Sequence, residues 1–130
     1  MSQPSSNSVA HPQPTIFVVD DEPMLLDLAA AILQPMGFDV RIFRDPKTAL
    51  KEFASSKPVI VVTDYAMGDM NGLDLVRECR RVNPRQKILL VSGTVDETIY
   101  HNVPVKPDCF LAKPYQVRDF IESVQELIAS

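Results

Sequence analysis

A chain of 130 residues is the size of one compact domain and too short for two. With 45% hydrophobic and 23% charged residues it has the material for an ordinary buried core. Its net charge of −4 argues against a general binder of nucleic acid or anionic membrane, since both demand a basic face.

Residues 1–14, MSQPSSNSVAHPQP, offer almost nothing to bury and cannot offset their ordering entropy, so a disordered N-terminal tail is predicted there. His11 lies in this tail and reads as a bystander. No basic start leads into an apolar run, and no stretch reaches the about 18 apolar residues of a membrane span. A cytoplasmic setting is expected, and Cys79 and Cys109, in apolar surroundings without metal-ligand spacing, read as buried free thiols.

From Thr15 the texture changes, and residues 15–130 read as a single domain. Strands are predicted at 15–19 (TIFVV), 39–43 (DVRIF), 59–63 (VIVVT), 87–91 (KILLV) and 108–112 (DCFLA). The first, third and fourth are nearly continuous in apolar residues, the pattern of strands covered on both faces. Helical spacing links Leu25, Leu28, Ala29, Ile32, Leu33 and Met36, with Gly37 as the stop. Ala49, Leu50 and Phe53 mark a second helix, with Asp45 as N-cap and Pro46 at its first position. Leu73, Val76, Cys79 and Arg80 trace a third, and Val117, Phe120, Ile121, Val124, Leu127 and Ile128 trace the last. This alternation predicts an α/β fold, an open doubly wound sheet with right-handed crossovers. Chemistry in such sheets gathers at the carboxyl ends of the strands.

The residues expected just past those ends are Asp20, Asp21 and Glu22 after the first strand, Asp64 after the third, Ser92 and Gly93 after the fourth, and Lys113 and Pro114 after the fifth. Singly each is unremarkable, because an Asp after a strand is commonly a cap or turn residue. Together they bring acid, acid, hydroxyl and ammonium to one edge. Carboxylates of Asp20, Asp21 and Asp64 placed side by side repel and push a pKa upward unless a cation intervenes. A hard divalent ion such as Mg²⁺ (or Mn²⁺) answers that repulsion with oxygen coordination. A carboxylate so supported is a usable nucleophile toward phosphorus, and a Lys and a hydroxyl complete a cage for phosphoryl oxygens.

Four stretches in this order, Val18-Val19-Asp20-Asp21-Glu22, Asp64-Tyr65-Ala66-Met67 with Asn71-Gly72, Val91-Ser92-Gly93, and Phe110-Leu111-Ala112-Lys113-Pro114, resemble the receiver domain of two-component response regulators. The resemblance runs from Thr15 to the C-terminus. It implies a flavodoxin-like five-stranded parallel sheet of order 2-1-3-4-5, with Asp64 as phosphoacceptor. It also implies that Asp21, Asp64 and the Ala66 carbonyl are metal ligands, with Asp20 acting through a water. Lys113 would pair with Asp64 and then with the phosphoryl group, and Lys113-Pro114 would be cis. Ser92 would bond the phosphoryl oxygen, and Phe110 would rotate inward with it. The implied partners are a sensor histidine kinase or histidine phosphotransfer protein and an unknown downstream protein, with no nucleic acid and no membrane. The resemblance also implies a protein that takes part in its own phosphorylation and autodephosphorylation without being an enzyme on other substrates.

Three features depart from that family. Gly68 stands where Pro is usual, and Ala66 offers no side chain to orient an attacking water. Between Ser92 and Lys113, Pro104 and Pro107 exclude helix from about residue 103 onward. The fourth helix of the family is therefore expected to be short or irregular, within 95–102 at most, and phosphorylation is expected to order this segment. The chain stops soon after the last helix pattern, so a stand-alone receiver is the leading expectation. A receiver cut from a larger regulator, or a degenerate one used only for docking, are the alternatives. An aspartyl-phosphate hydrolase of the haloacid-dehalogenase type fits poorly, since Asp20-Asp21-Glu22-Pro23-Met24 lacks the D-x-D-x-T pattern.

Overall fold

The computed structural model describes residues 13–93 and 103–130. The predicted tail falls almost wholly outside these residues, and so does the short helix expected within 95–102. The described strands are β1 (Thr15–Val19), β2 (Asp39–Phe43), β3 (Ile60–Asp64), β4 (Lys87–Ser92) and β5 (Cys109–Ala112). They form one parallel sheet in the order β2-β1-β3-β4-β5, as expected. The helices are α1 (Pro23–Leu33), α2 (Pro46–Ser56), α3 (Gly72–Val82) and α4 (Val117–Ala129).

The period-two alternation within each strand divides the core in two. Ile16, Val18, Ile60, Val62, Leu89 and Val91 face one side and pack under α1 and α4, against Leu26, Leu33, Phe120 and Val124. Phe17, Val19, Val61 and Ile88 face the other side and pack under α2 and α3, against Phe53, Leu75, Val76 and Cys79. Both faces are covered, which explains the unbroken apolar runs in the central strands.

The helix ends follow local chemistry. Pro23 opens α1, and after Leu33 the chain tightens into a 3₁₀ turn, Gln34–Met36, because Pro35 has no N–H to continue the helix. Met36 therefore lies in that turn, and Gly37 closes it at φ 98°. Asp45 caps α2, accepting from the Thr48 backbone N–H at 3.0 Å and the Thr48 hydroxyl at 2.7 Å. The Thr48 hydroxyl and N–H hold the Asp45 carboxyl below the usual carboxylate range.

β3 begins and ends one residue further on than expected, β4 ends one residue later and β5 begins one later; the two strand ends have a consequence for the site. Asp64 is the last residue of β3, in register with Val91, and Ser92 is the last of β4, in register with Ala112. Ladder pairing continues through them, so both functional candidates stand on sheet backbone and not in a loop. Residues 103–107 carry no helix, in line with Pro104 and Pro107. Cys79 is fully buried and its thiol is pushed up to about 12 by that burial, whereas Cys109, on edge strand β5, is only half-buried.

Candidate functional site

Asp20 directly follows β1, Asp64 ends β3, and the loop after β5 begins with Lys113. Adjacent parallel strands β1 and β3 thus deliver two carboxylates side by side, both buried. Asp21, next in the chain, is exposed. One carboxylate oxygen from each of Asp20, Asp21 and Asp64 lies within 4.8 Å of the others. Lys113 comes from the far side of the sheet and bridges the acids, with Nζ 3.1 Å from Asp20 Oδ2 and 3.2 Å from Asp64 Oδ1.

The backbone around these groups is tied to the sheet. The Tyr65 N–H donates to the Val91 carbonyl at 3.0 Å, and the Lys113 N–H donates to the Ser92 carbonyl at 2.9 Å. The Glu22 N–H donates to Asp20 Oδ1 at 2.9 Å, fixing that carboxylate. The Lys113-Pro114 bond is cis. Ser92 is buried, Phe110 is half-buried in β5 opposite Leu90, and Ala66 is exposed two residues beyond Asp64.

The charges explain the proton affinities. Burial raises the Asp20 pKa, against the Glu22 N–H and Lys113, which pull it down. Burial also raises that of Asp64, and the Asp20 charge adds to the rise while Lys113 opposes it. For Lys113 burial acts downward, but the hydrogen bonds and charges of Asp20 and Asp64 outweigh it, and its pKa is raised. One ammonium does not fully compensate the buried acids. That residual repulsion, with three oxygens of three carboxylates gathered in reach of one point, makes the cluster compatible with a hard divalent cation.

Two participants were not assigned roles on sequence grounds. Glu22, the third acid of its run, places Oε1 3.5 Å from Lys113 Nζ, although its own side chain is largely exposed. Gly72 starts α3 directly under the acceptor, where an added Cβ would overlap the Asp64 carbonyl oxygen and come within 2.7 Å of Leu90 Cδ1. Its N–H donates to the Tyr65 carbonyl at 2.7 Å, and Asn71 and Asp74 lock the helix start with a reciprocal capping box. The Asn71-Gly72 pair was visible in sequence, but the reason for the glycine is tertiary. Gly72→Ala is therefore expected to destabilise by about 1–3 kcal/mol. Helix propensity alone favours Ala by about 1 kcal/mol, so the sign of the change in a denaturant melt tests the contact.

With this geometry in hand, comparison with known proteins decides the family. Residues 16–125 match the profile of the response regulator receiver domain. This chain belongs to the response regulator receiver family. Among curated relatives, the alkaline phosphatase synthesis transcriptional regulatory protein SphR of Synechococcus elongatus is 33% identical, over 92% of this chain and 50% of its own length. The chemotaxis protein CheY of Thermotoga maritima is 24% identical, over 86% of this chain and 95% of its own. The crystal structure of a response regulator receiver domain protein from Clostridium thermocellum superposes with a TM-score of 0.81 at 23% identity, covering 89% of this chain and 94% of that one. The chain spans about half the length of the first curated relatives it matches. Receivers of this family are signalling modules of two-component response regulators. No helix among the described residues is long and apolar enough to cross a membrane.

Proposed function

We propose that this receiver accepts a phosphoryl group on Asp64 from a sensor histidine kinase or a histidine phosphotransfer protein, and that the modified state is read by a downstream protein. The observation that carries this is the buried Asp64 carboxylate, flanked by Asp20 and Asp21 and touched by Lys113 at 3.2 Å. An Asp64 carboxylate oxygen attacks phosphorus, the bond from phosphorus to the donor breaks, and the donor keeps the electron pair. Asp20, Asp21, Asp64 and the Ala66 carbonyl would hold Mg²⁺ or Mn²⁺, which when bound neutralises phosphoryl charge.

Lys113 is already positioned by the acids and needs only to exchange carboxylate for phosphoryl oxygen as its partner. Ser92 would bond a second phosphoryl oxygen, and Phe110, on the neighbouring strand β5, would carry the change outward. A receiver joined to further domains, in keeping with relatives of twice its length, would use the same chemistry with an output attached to the chain.

The test is to treat the full chain with acetyl phosphate and Mg²⁺ and to look for added phosphoryl mass on the peptide containing Asp64. No added mass would leave a docking module as the reading. The lifetime of the modified state gives a separate prediction. Ala66 is exposed beside the acceptor and has no polar side chain to orient water. Ala66→Asn is expected to shorten the lifetime of the aspartyl phosphate several-fold, followed by loss of phosphoryl mass after the donor is removed. Equal lifetimes would end this account of position 66.

A further inference from the structure

We propose that an apolar groove opening off this site receives the acyl chain of a small-molecule phosphoryl donor, so that acyl phosphates with short apolar chains serve the receiver better than acetyl phosphate. The inference rests on Asp64 being the acceptor. The groove has a volume of about 530 Å³, within the usual range for small-ligand sites. Its walls are Leu25 and Leu28 of α1 and Pro114 and Tyr115 of the loop after β5, and Glu22, Gly93 and Lys113 complete it at the end nearest the acids, where Glu22 Oε1 lies 3.5 Å from Lys113 Nζ. Lys113 belongs to both places, since its Nζ lies 3.2 Å from Asp64 Oδ1.

One wall is held in place by packing. The Tyr115 ring stacks on fully buried Phe120, with centroids 5.2 Å apart and planes at 19°. The opposite wall keeps apolar surface in water, because Leu28 is 40% exposed. At the shared end, Gly93 has no side chain, and a Cβ there would lie 3.3 Å from Lys113 Cβ. The groove therefore joins Lys113, held between Glu22 and the buried acids, to apolar walls beyond it. A ligand with a charged phosphoryl head and an apolar tail matches both.

The chemistry suits an acyl phosphate. An Asp64 oxygen attacks phosphorus, the bond between phosphorus and the acyl oxygen breaks, and the carboxylate departs with the electron pair. No proton must be supplied, because a carboxylic acid is ionised at neutral pH. A methylene fully removed from water is worth about fourfold in affinity. For two extra methylenes in an open groove, roughly three- to tenfold is expected.

The experiment measures the rate of phosphoryl mass gain on the full chain with acetyl, propionyl and butyryl phosphate at equal concentration, with Mg²⁺. In wild type the rate should climb along the series, butyryl exceeding acetyl by at least about threefold. Leu28→Ser should bring the butyryl-to-acetyl ratio close to one, with folding checked by thermal melt. Val82→Ser, at the remote end of α3, should leave both rates as in wild type. A flat or falling series in wild type overturns the proposal, and so does a ratio that Leu28→Ser leaves unchanged. If no donor adds mass, the acceptor reading fails and this proposal with it; if acetyl phosphate alone does so, only the groove assignment fails.

Discussion

Asp64→Asn is expected to abolish phosphoryl incorporation from acetyl phosphate and, in ion-free buffer at neutral pH, to raise the melting temperature by several degrees. The first effect follows from replacing the only nucleophile proposed for the reaction with an amide. The second follows from linkage. Burial and the neighbouring Asp20 raise the folded-state pKa of Asp64 above its unfolded value, so the folded state holds the proton more tightly than the unfolded state. Ionised Asp64 therefore costs stability at pH above the raised value. That cost disappears as pH falls through the raised folded value toward the unfolded one.

The advantage of the Asn variant should accordingly shrink as pH is lowered through that window. Lys113 is not orphaned by the change, because Asp20 still accepts from it at 3.1 Å. Mg²⁺ should reverse the order by stabilising wild type more than the variant. Thermal melts at several pH values, with and without Mg²⁺, would check all of this. An Asn variant less stable than wild type without the ion would mean that the Lys113–Asp64 pair outweighs burial and repulsion.

Arg80→Ala is expected to cost about 2 kcal/mol, far more than any other surface arginine of α3. Its side chain is only 18% exposed and its guanidinium makes three hydrogen bonds: Nε to the Gln86 carbonyl at 2.7 Å, Nη1 to the Lys106 carbonyl at 3.0 Å, and Nη2 to Asp108 Oδ2 at 2.8 Å. The same Asp108 oxygen accepts from the Ile88 N–H at 2.7 Å, so the clamp joins the end of α3, the start of β4 and the approach to β5. Removing Arg80 leaves a carboxylate and two carbonyls short of a donor. Asp108 is 39% exposed and water can recover part of that loss, which places the cost below the about 3–5 kcal/mol of a fully buried pair.

Arg77, on the same helix, pairs with Asp74 at 3.4 Å while 55% exposed, and Arg77→Ala should change stability by less than about 1 kcal/mol. Urea melts of both variants give the comparison. Equal, small effects would show that the clamp contributes no more than an ordinary surface pair. The clamp also has a bearing on the proline-rich approach to β5. Residues 106–108 are held by Arg80 and by the β4 edge, so this end of the segment is anchored without a helix.

The acids, the hydroxyl and the lysine were legible because an α/β alternation announces where strands end, and polar residues at those ends are few. The near-continuous apolar runs likewise announced that the central strands are covered on both faces, because a strand with one face in water alternates apolar with polar residues. Strand ends were less legible: Asp64 and Ser92 stay in the ladder because Val91 and Ala112 pair with them, and pairing partners are not encoded locally. Arg80 looked like one more position on the helical stripe. Its partners lie 6 to 28 residues further along, and only folding brings them to it.

By itself, then, the amino-acid order determined the succession of strands and helices, the cap at Asp45, the breaks at Pro104 and Pro107, and which residues could do chemistry at Asp64. All of these depend on dihedral preference, hydrophobic period or residue type, which are local quantities. Tertiary structure alone decided that Lys113 touches Asp20, Asp64 and Glu22 together, that Gly72 must lack a side chain, and that an apolar groove opens beside Lys113. Those depend on distances between residues far apart in the chain, set by the parallel register of β1, β3, β4 and β5.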